Sequence, residues 1–425
     1  MLKNYIKTAF KVFLRRKFFT AISLFGISFT LVVLMVATAF LDHAFGSYPP
    51  EVKTDRTLGV FTLIGELIVD GERKGGGSGP PSYTFLDRYV RTLLGVEKVS
   101  ISTQFFRDNA VAVYKDGEYI ELYLKRTDGE FWQILEFDFL EGSPFTAEDE
   151  KNANMVAVIN QATRKRFFGD ERATGKSIEV DGQRFRVVGV VANIPIFRAV
   201  PFADVWVPIS TSKEDYRYMH WNGRYQALVL AKKPSDIPLI KAEFQAHLAQ
   251  AQVEFLDPKE FNRLYGGVES YFETVSREIF NPAEADKESH ADRLLAVIAG
   301  AMVLFMLLPT LNLVNLNMSR TLERASEIGV RKAFGASSWT LVGQFVVENV
   351  LLVLTGGVIA LVASSLVLQA LTYSELIQYA EFYLNYRLFL YGLLIALFFG
   401  VLSGVYPAWR MSRLQPVQAL KRRAR

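Results

Sequence analysis

Four apolar stretches stand out along a chain that is otherwise mixed in polarity. The first runs from Phe18 to Leu41 and contains no charged residue. Three more lie towards the C-terminal end, at residues 294–318, 350–374 and 388–409. At about 1.5 Å of rise per residue, each stretch is long enough to cross a hydrocarbon core of roughly 30 Å. The pattern predicts a membrane protein with four transmembrane α-helices.

The first stretch could also be a secretory signal peptide. The apolar region of a signal peptide is only about 7–15 residues long and is followed by small residues at a cleavage site. Here the stretch is longer, and bulky Phe40 and Leu41 stand where cleavage would occur. These features favour an uncleaved span.

The four stretches divide the chain into nine segments. We predict an amphipathic N-terminal helix (1–17), span one (18–41), a large extracytoplasmic α+β domain (42–290), span two (291–318), a charged cytoplasmic hairpin (319–337), span three (338–373), a short outer loop (374–386), span four (387–409) and a basic tail (410–425). The large domain is thus inserted between spans one and two. Half of the residues are hydrophobic and 22% are charged, which suits a chain that is part bilayer and part water-soluble domain.

Positive charge beside the spans predicts their orientation. The segments before span one, between spans two and three, and after span four carry six, four and six Lys or Arg residues, with Glu323 and Glu327 as their only acids. Basic flanks stay in the cytoplasm. We therefore expect a multi-pass protein of the cell inner membrane, with both termini and the 319–337 hairpin in the cytoplasm and the large domain in the periplasm.

The N-terminal segment combines apolar and basic residues at helical spacing. Ile6, Phe10 and Phe13 share one face, while Lys7 and Lys11 lie on another. Such a helix can lie on an anionic membrane surface, and we count membrane lipids among the partners. A basic flank that only sets the topology would look similar, so both interpretations stay open.

The large domain shows hairpin and helix patterns. Residues 110–114 and 119–123 flank an Asp-Gly turn, and a second hairpin joins 177–180 to 185–191 through Asp181-Gly182. Residues 237–255 have helical periodicity, and the glycine-rich residues 71–81 predict a flexible loop. We expect two lobes, of which residues 211–282 form the more variable one.

Several kinds of chemistry are excluded or disfavoured by the composition. There are no cysteines, and the four histidines show no metal-ligand spacing. Residues 169–177 end in Gly-Lys-Ser like a phosphate-binding loop, but five residues instead of four separate the glycines, and a strand pattern follows. No nucleophile motif is present and the basic ends lack interleaved aromatics. We expect no catalytic residue, bound cofactor, metal or nucleic acid.

Four segments resemble the MacB/FtsX-like family of ABC transporter permeases. The most specific are Glu327–Ala336, which reads EIGVRKAFGA, and Gly404–Arg410, which reads GVYPAWR and is followed by a Pro-Val-Gln-Ala-Leu string. The basic start at Phe13–Phe19 also matches, and residues 167–191 match the family's periplasmic pattern more loosely. This last similarity also explains the lookalike of a phosphate-binding loop.

The resemblance implies that the hairpin docks on a cytoplasmic ATPase. Gly335 suits the left-handed position that closes a helix, and a serine can cap the next one. A well-capped turn bearing topogenic arginines is the alternative. The docking residues carried over are Glu323, Arg324, Glu327, Ile328, Gly329, Val330, Arg331, Lys332, Phe334 and Gly335.

The resemblance also implies a function and partners. It implies a permease subunit without a fused ATPase, not itself an enzyme, that couples hydrolysis of ATP-Mg by a LolD- or MacB-like subunit to movement of its periplasmic domain. This movement would drive export or extraction of a substrate. A second permease, identical or not, a periplasmic adaptor and an outer-membrane channel are the further partners implied. The alternative is an FtsX-like regulator that activates a periplasmic hydrolase or a signalling partner.

Overall fold

The computed structural model describes residues 2–106, 110–115, 117–280, 289–323, 338–374 and 376–412. Its contacts divide the chain into two compact units. We call Met1–Asp42, Leu295–Leu376 and Glu381–Arg425 the helical unit, and His43–Leu294 with Ile377–Ala380 the sheet unit. The sheet unit thus includes four residues from the predicted loop between spans three and four.

The described residues form eleven α-helices and thirteen strands. The helices are α1 (Leu2–Arg15), α2 (Lys17–Phe45), α3 (Tyr83–Tyr89), α4 (Phe131–Ile134), α5 (Ala147–Lys151), α6 (Gln161–Phe168), α7 (Ile237–Phe255), α8 (Tyr271–Phe280), α9 (Ala291–Glu323), α10 (Ser338–Tyr373) and α11 (Tyr386–Ser412). The strands are β1 (Thr57–Val60), β2 (Leu63–Val69), β3 (Glu72–Gly79), β4 (Val96–Thr103), β5 (Ala110–Lys115), β6 (Glu118–Thr127), β7 (Phe139–Gly142), β8 (Val156–Asn160), β9 (Ser177–Val180), β10 (Gln183–Val191), β11 (Val205–Pro208), β12 (Tyr225–Ala231) and β13 (Arg263–Gly266).

Three helices of the described chain are long and apolar enough to cross a membrane. They are α2, the Val342–Tyr373 part of α10 and the Tyr386–Ser403 part of α11, with mean hydropathies of 2.4, 2.5 and 1.8. These helices contain the predicted spans one and three and most of span four. Length and composition are therefore those of a multi-pass membrane protein.

The predicted second span lies within α9 but is not among these three helices. The second half of this predicted span contains Asn312, Asn315 and Asn317. Such amides are tolerated in a bilayer where they face other helices. A fourth crossing by α9 stays a prediction.

The N-terminal segment is helical, as α1. Ala9 is buried, whereas the apolar side chains of Phe10 and Leu14 are 53% and 69% exposed. Exposed apolar residues beside lysines are typical of a helix that lies on a membrane surface. That location stays a prediction.

Small residues let the helices of the helical unit approach closely. A Cβ atom placed on Gly356 of α10 would lie 2.8 Å from Cγ2 of Ile27 in α2. On Gly400 of α11, it would lie 2.6 Å from Cγ2 of Val353 in α10. Contacts of this kind replace the hydrophobic driving force that is missing in lipid. These glycines therefore hold α2, α10 and α11 together.

A ten-stranded mixed sheet dominates the sheet unit. Eight strands follow the order β1-β12-β4-β6-β11-β8-β10-β7, while β5 pairs with β6 and β9 with β10. The pairs β8–β10 and β6–β11 are parallel and the others antiparallel. A second sheet has the order β13-β2-β3. The predicted α+β class is thus observed.

The central strands bury both faces. In β8, Val156 and Val158 belong to one core cluster, while Ala157 and Ile159 belong to another. Side chains of a strand point alternately to opposite faces, so a strand between two cores is apolar throughout. This explains why β8 shows no alternating pattern in the sequence.

The predicted hairpins and the long helix are confirmed. Strands β5 and β6 pair with Val111 opposite Leu122, and β9 and β10 pair with Val180 opposite Gln183. Helix α7 spans the predicted residues and buries Ile240 on the expected face. Local turn chemistry and periodicity were sufficient for these elements.

The loop predicted at residues 71–81 is wrong for most of its length. Residues Glu72–Gly79 form β3, which pairs with β2 so that Gly77 lies opposite Gly65. The ring of Phe261 lies over this pair, because a Cβ atom on Gly77 would be 3.8 Å from it. Glycines disfavour a strand in isolation, but here their bare backbone admits an aromatic ring.

Residues 211–282 do not form a lobe of their own. Strand β12 lies between β1 and β4 in the large sheet, whereas β13 pairs with β2 in the small one. Helix α7 contributes Phe244 to a core that it shares with Phe85 of α3. The described part of the segment that was predicted to be variable is therefore distributed over the sheet unit.

Candidate functional site

The predicted ATPase-docking hairpin falls almost entirely outside the described residues. Helix α9 continues past the predicted end of span two, and Glu323 is its last described residue. The other nine docking residues lie in 324–337, outside the described residues, and α10 begins directly after them. Their docking role stays a prediction.

The structure reveals a polar cluster at the C-terminal end of α2. The guanidinium of Arg198 is 3% exposed and donates to the backbone oxygens of His43, Gly46 and Tyr48, each at 2.9 Å. It also pairs with Oε2 of Glu51 at 3.1 Å. A cation that binds the last carbonyls of a helix satisfies their free oxygens and complements the helix dipole. Arg198 thus holds the chain at residues 43–48.

Burial and the charge of Arg198 shift the pKa of Glu51 in opposite directions. Burial raises the pKa of Glu51, while the charge of Arg198 and its hydrogen bond lower it. Arg198 is thus the charge that stabilises the half-buried carboxylate of Glu51, whereas the guanidinium is also satisfied by three backbone oxygens. The only signal in the sequence was a single arginine within the apolar stretch Ile194–Val207.

A second polar cluster holds the loop between α10 and α11. Tyr379 donates its hydroxyl hydrogen to Oδ1 of Asp204 at 2.8 Å, and the side-chain amide of Asn160 donates to the same oxygen at 2.8 Å. The other carboxylate oxygen accepts from the backbone N–H of Tyr123 at 2.9 Å. The backbone N–H of Ile196 donates to the carbonyl of Gln378 at 3.2 Å. Residues 377–380 are therefore an integral part of the sheet unit.

Asp204 is 1% exposed, and this burial is the largest influence on the pKa of its carboxyl group. Burial raises the pKa of this carboxyl group, and its hydrogen bonds lower it. Burial also raises the pKa of Tyr379 to about 12, so its hydroxyl stays protonated well above neutral pH. Because these residues are far apart in the chain, sequence reasoning missed the cluster.

A third cluster contains a buried carboxyl group, that of Asp128, and a half-buried one, that of Glu150. Asp128 accepts from Nη2 of Arg91 at 2.8 Å, from the hydroxyl of Ser100 at 2.6 Å and from the backbone N–H of Ile101 at 2.8 Å. Glu150 accepts from the N–H of Gly129 at 3.1 Å. Burial raises the pKa of Asp128 to about 6 and, together with the charge of Asp128, that of Glu150 to about 7. The cluster anchors the turn after β6.

Lys125 is a further buried charge, on β6. It is 2% exposed, and its ammonium donates to the carbonyl of Thr103 at 2.9 Å. Burial lowers the pKa of Lys125 to about 7. Within the described residues, no group of three or more His, Cys, Asp or Glu side chains could hold a metal ion.

The Gly-Lys-Ser segment does not have the geometry of a phosphate-binding loop. It leads into β9 and not into a helix, so no helix N-terminus is available for phosphate. Lys176 pairs with Glu171, and Gly169 and Gly175 adopt positive φ angles of 63° and 89°. These residues form a turn between α6 and β9, and the strand that was predicted to follow them is confirmed.

These observations define the class of protein: a multi-pass membrane protein with a large α+β domain that follows its first apolar helix. The model of the MacB-like periplasmic core domain matches residues 20–247, and that of the FtsX-like permease C-terminal region matches residues 299–416. The chain belongs to the MacB/FtsX-like family of ABC transporter permeases.

Individual relatives agree with this assignment. The "Probable export ATP-binding/permease protein MacB" of Pseudomonas entomophila is 27% identical over 78% of this chain and 48% of that protein. The "Uncharacterized ABC transporter permease YknZ" of Bacillus subtilis is 22% identical over 80% and 79%. The chain thus spans about half the length of the MacB relative but most of YknZ.

One solved structure matches about half of the chain. The periplasmic region of MacB from Actinobacillus actinomycetemcomitans matches 54% of this chain and 94% of that structure. Its sequence identity is 15% and its TM-score 0.37.

Proposed function

We propose that this chain is the permease subunit of an ABC transporter in the cell inner membrane. A separate cytoplasmic ATPase would hydrolyse ATP, and the permease would transmit the resulting movement to its periplasmic domain to export or extract a substrate. The observation that carries the proposal is the occurrence of both family regions on one chain, the second of which includes the predicted docking hairpin.

Helix length supports a mechanical role. Helix α9 has 33 residues and α10 has 36, which correspond to about 50 Å and 54 Å at 1.5 Å per residue. Both exceed a hydrocarbon core of roughly 30 Å. Such helices can carry a displacement at the 324–337 segment across the bilayer as rigid bodies, without local unfolding.

Chain connectivity supports transmission into the sheet unit. The chain passes between the helical and sheet units at residues 42–43, 294–295, 376–377 and 380–381. At the last two points the segment is held by the hydrogen bond between Tyr379 and Asp204. A shift of α10 or α11 would therefore reach the sheet unit along the chain at these two points. Coupling of this kind requires two global states that ATP binding favours differently.

The docking hairpin provides the test. We expect Glu327→Lys to lower the permease-stimulated ATPase activity of the copurifying ATPase at least fivefold, because it reverses a charge in the predicted contact. Activity should be measured in membranes that contain both subunits. Glu118→Lys makes the same charge change at the exposed first residue of β6 and should leave the activity unchanged.

Two results would contradict the proposal. One is unchanged stimulation by the Glu327→Lys variant at equal membrane levels. The other is failure of any ATPase to copurify with the unmodified chain under conditions that keep it folded. In either case the permease would not act through this hairpin.

A further inference from the structure

A cavity of about 300 Å³ lies in the sheet unit, beside the end of α2. Its apolar walls come from separate parts of the chain and include Phe45, Phe61, Leu135, Leu228, Tyr271 and Phe272. A cavity of about 150 Å³ suffices for benzene, so this one has room for roughly twelve carbon atoms. The volume is at the lower limit of small-molecule sites, about 300–1,000 Å³.

Aromatic contacts build the walls of the cavity. The rings of Phe45 and Phe272 meet edge to face with centroids 5.1 Å apart, and those of Phe61 and Tyr271 do so at 5.8 Å. Edge-to-face pairs prefer a defined geometry, so they resist collapse of the cavity. The chain beside Phe45 is also held, because Arg198 binds the oxygens of His43 and Gly46. The cavity is thus bounded by well-anchored side chains.

The polar part of the lining comes mainly from one continuous stretch of chain. Glu51, Lys53 and Asp55 line the cavity within five residues. Glu51 already pairs with Arg198, and Lys53 pairs with Glu136 at 2.9 Å. An occupant therefore finds apolar walls together with a charged segment. That combination suits an amphiphile with an alkyl chain and a polar head.

The position of the cavity next to the last turn of α2 indicates the source of such a molecule. Ala44 and Phe45, which line the cavity, belong to the last turn of α2. The 29 residues of α2 span about 43 Å, so this turn lies beyond a core of roughly 30 Å that is crossed by the preceding residues. The cavity is therefore within reach of molecules at the membrane surface.

We infer that this cavity binds the alkyl chain of an amphiphile, with about twelve carbon atoms enclosed and the polar head next to Lys53 and Asp55. The ligand could be a membrane phospholipid or a diffusible single-chain amphiphile, which share this chemistry. This site does not depend on the proposed ATPase coupling, since binding requires only the folded permease.

Photolabelling of the full-length permease tests the inference. In one arm, the protein in amphipol receives dodecanoic acid that carries a diazirine. In the other, it is reconstituted in nanodiscs that contain a phospholipid with the same diazirine acyl chain. We expect labelled peptides that contain Phe45 and Phe272, identified by mass spectrometry, with at least fivefold less labelling in Ala44→Phe, where the new ring fills the cavity.

A matched variant and a competition experiment complete the test. Phe280 lies in the same helix as Phe272, α8, but does not line the cavity. The Phe280→Ser variant should therefore retain full labelling. Unlabelled dodecanoate should displace the fatty-acid probe from the unmodified protein, whereas hexanoate at the same concentration should not. The competition stays informative even if Ala44→Phe fails to fold.

Each outcome decides between the sources or overturns the site. Labelling in the nanodisc arm identifies a bilayer lipid, and labelling only in the amphipol arm identifies a diffusible amphiphile. Absence of label from both peptides in both arms would refute the inference. So would labelling that neither dodecanoate nor Ala44→Phe reduces.

Discussion

The interiors of the two units of this protein are packed in different ways. In the sheet unit, buried charges such as Arg198, Asp128 and Asp204 each have three or more polar partners. In the helical unit, close contacts at Gly356 and Gly400 hold apolar helices together. A domain in water can bury charge if it satisfies that charge completely, whereas helices in lipid gain most from close backbone approach. The two units should therefore respond to different substitutions.

Removal of Arg198 should have the largest effect on stability. Arg198→Ala leaves the half-buried Glu51 without its cation and leaves three backbone oxygens without their hydrogen-bond donor. We expect a loss of about 3–5 kcal/mol in the free energy of unfolding of the sheet unit, as for other broken buried ion pairs.

Denaturant unfolding of the purified protein, followed by far-UV circular dichroism, measures this loss. Arg184→Ala is the matched control, because Arg184 is exposed on β10 and should change stability by less than about 0.5 kcal/mol. Equal effects of the two substitutions would show that Arg198 does not anchor the chain at residues 43–48.

Overpacking of the helical unit should have an intermediate effect. Gly356→Leu forces a side chain into the 2.8 Å gap towards Ile27 and should destabilise the helical unit by about 1–3 kcal/mol. Gly343→Leu makes the same change in the same helix, where nothing lies within 4 Å of the new Cβ atom. It should be neutral or slightly stabilising, since leucine favours helix more than glycine does.

Thermal unfolding in detergent micelles compares these two variants. The transition of Gly356→Leu should lie several degrees below that of Gly343→Leu. Coinciding transitions would show that close packing of α2 on α10 contributes nothing to stability.

The smallest effect should be the pH dependence due to Glu150. Its folded-state pKa is raised to about 7, so the favourable contribution of the protonated group is complete below its ordinary value near 4.5 and is lost as the pH rises through 7. Glu150→Gln keeps an acceptor for the N–H of Gly129 and cannot ionise. We expect this variant to be more stable than the unmodified protein at pH 8 but not at pH 4.

Unfolding free energies measured between pH 4 and 8 test this expectation. Glu148→Gln, an exposed position of the same helix α5, should not flatten the pH profile. A Glu150→Gln profile parallel to that of the unmodified protein would show that Glu150 ionises in the fold as readily as in the unfolded chain.

Much of the architecture could be predicted from local patterns. The hairpin between β9 and β10 is an example, because Asp181 and Gly182 adopt the positive φ angles, 53° and 60°, that an Asp-Gly hairpin turn requires. The three apolar helices followed from hydropathy alone. The segment 71–81 misled, because the packing of Phe261 over Gly77 is not encoded by the residues next to it.

The polar clusters lay beyond sequence reasoning for the same reason. Arg198 and His43 are 155 residues apart, and Tyr379 and Asp204 are 175 apart. Nothing in the surroundings of either residue in the chain indicates its partner. The docking residues in 324–337, in contrast, were proposed from motif similarity and lie outside the described residues.

The sequence by itself determined which stretches of this protein suit a membrane, which turns close hairpins and to which family the motifs point. These properties depend on residues that are neighbours along the chain, where hydropathy, turn geometry and spacing act directly. Only the tertiary structure decided that β3 joins a sheet, that Arg198 binds backbone oxygens at the end of α2 and that residues 377–380 belong to the sheet unit. These outcomes depend on which distant side chains exclude water together, and that is settled when the chain packs.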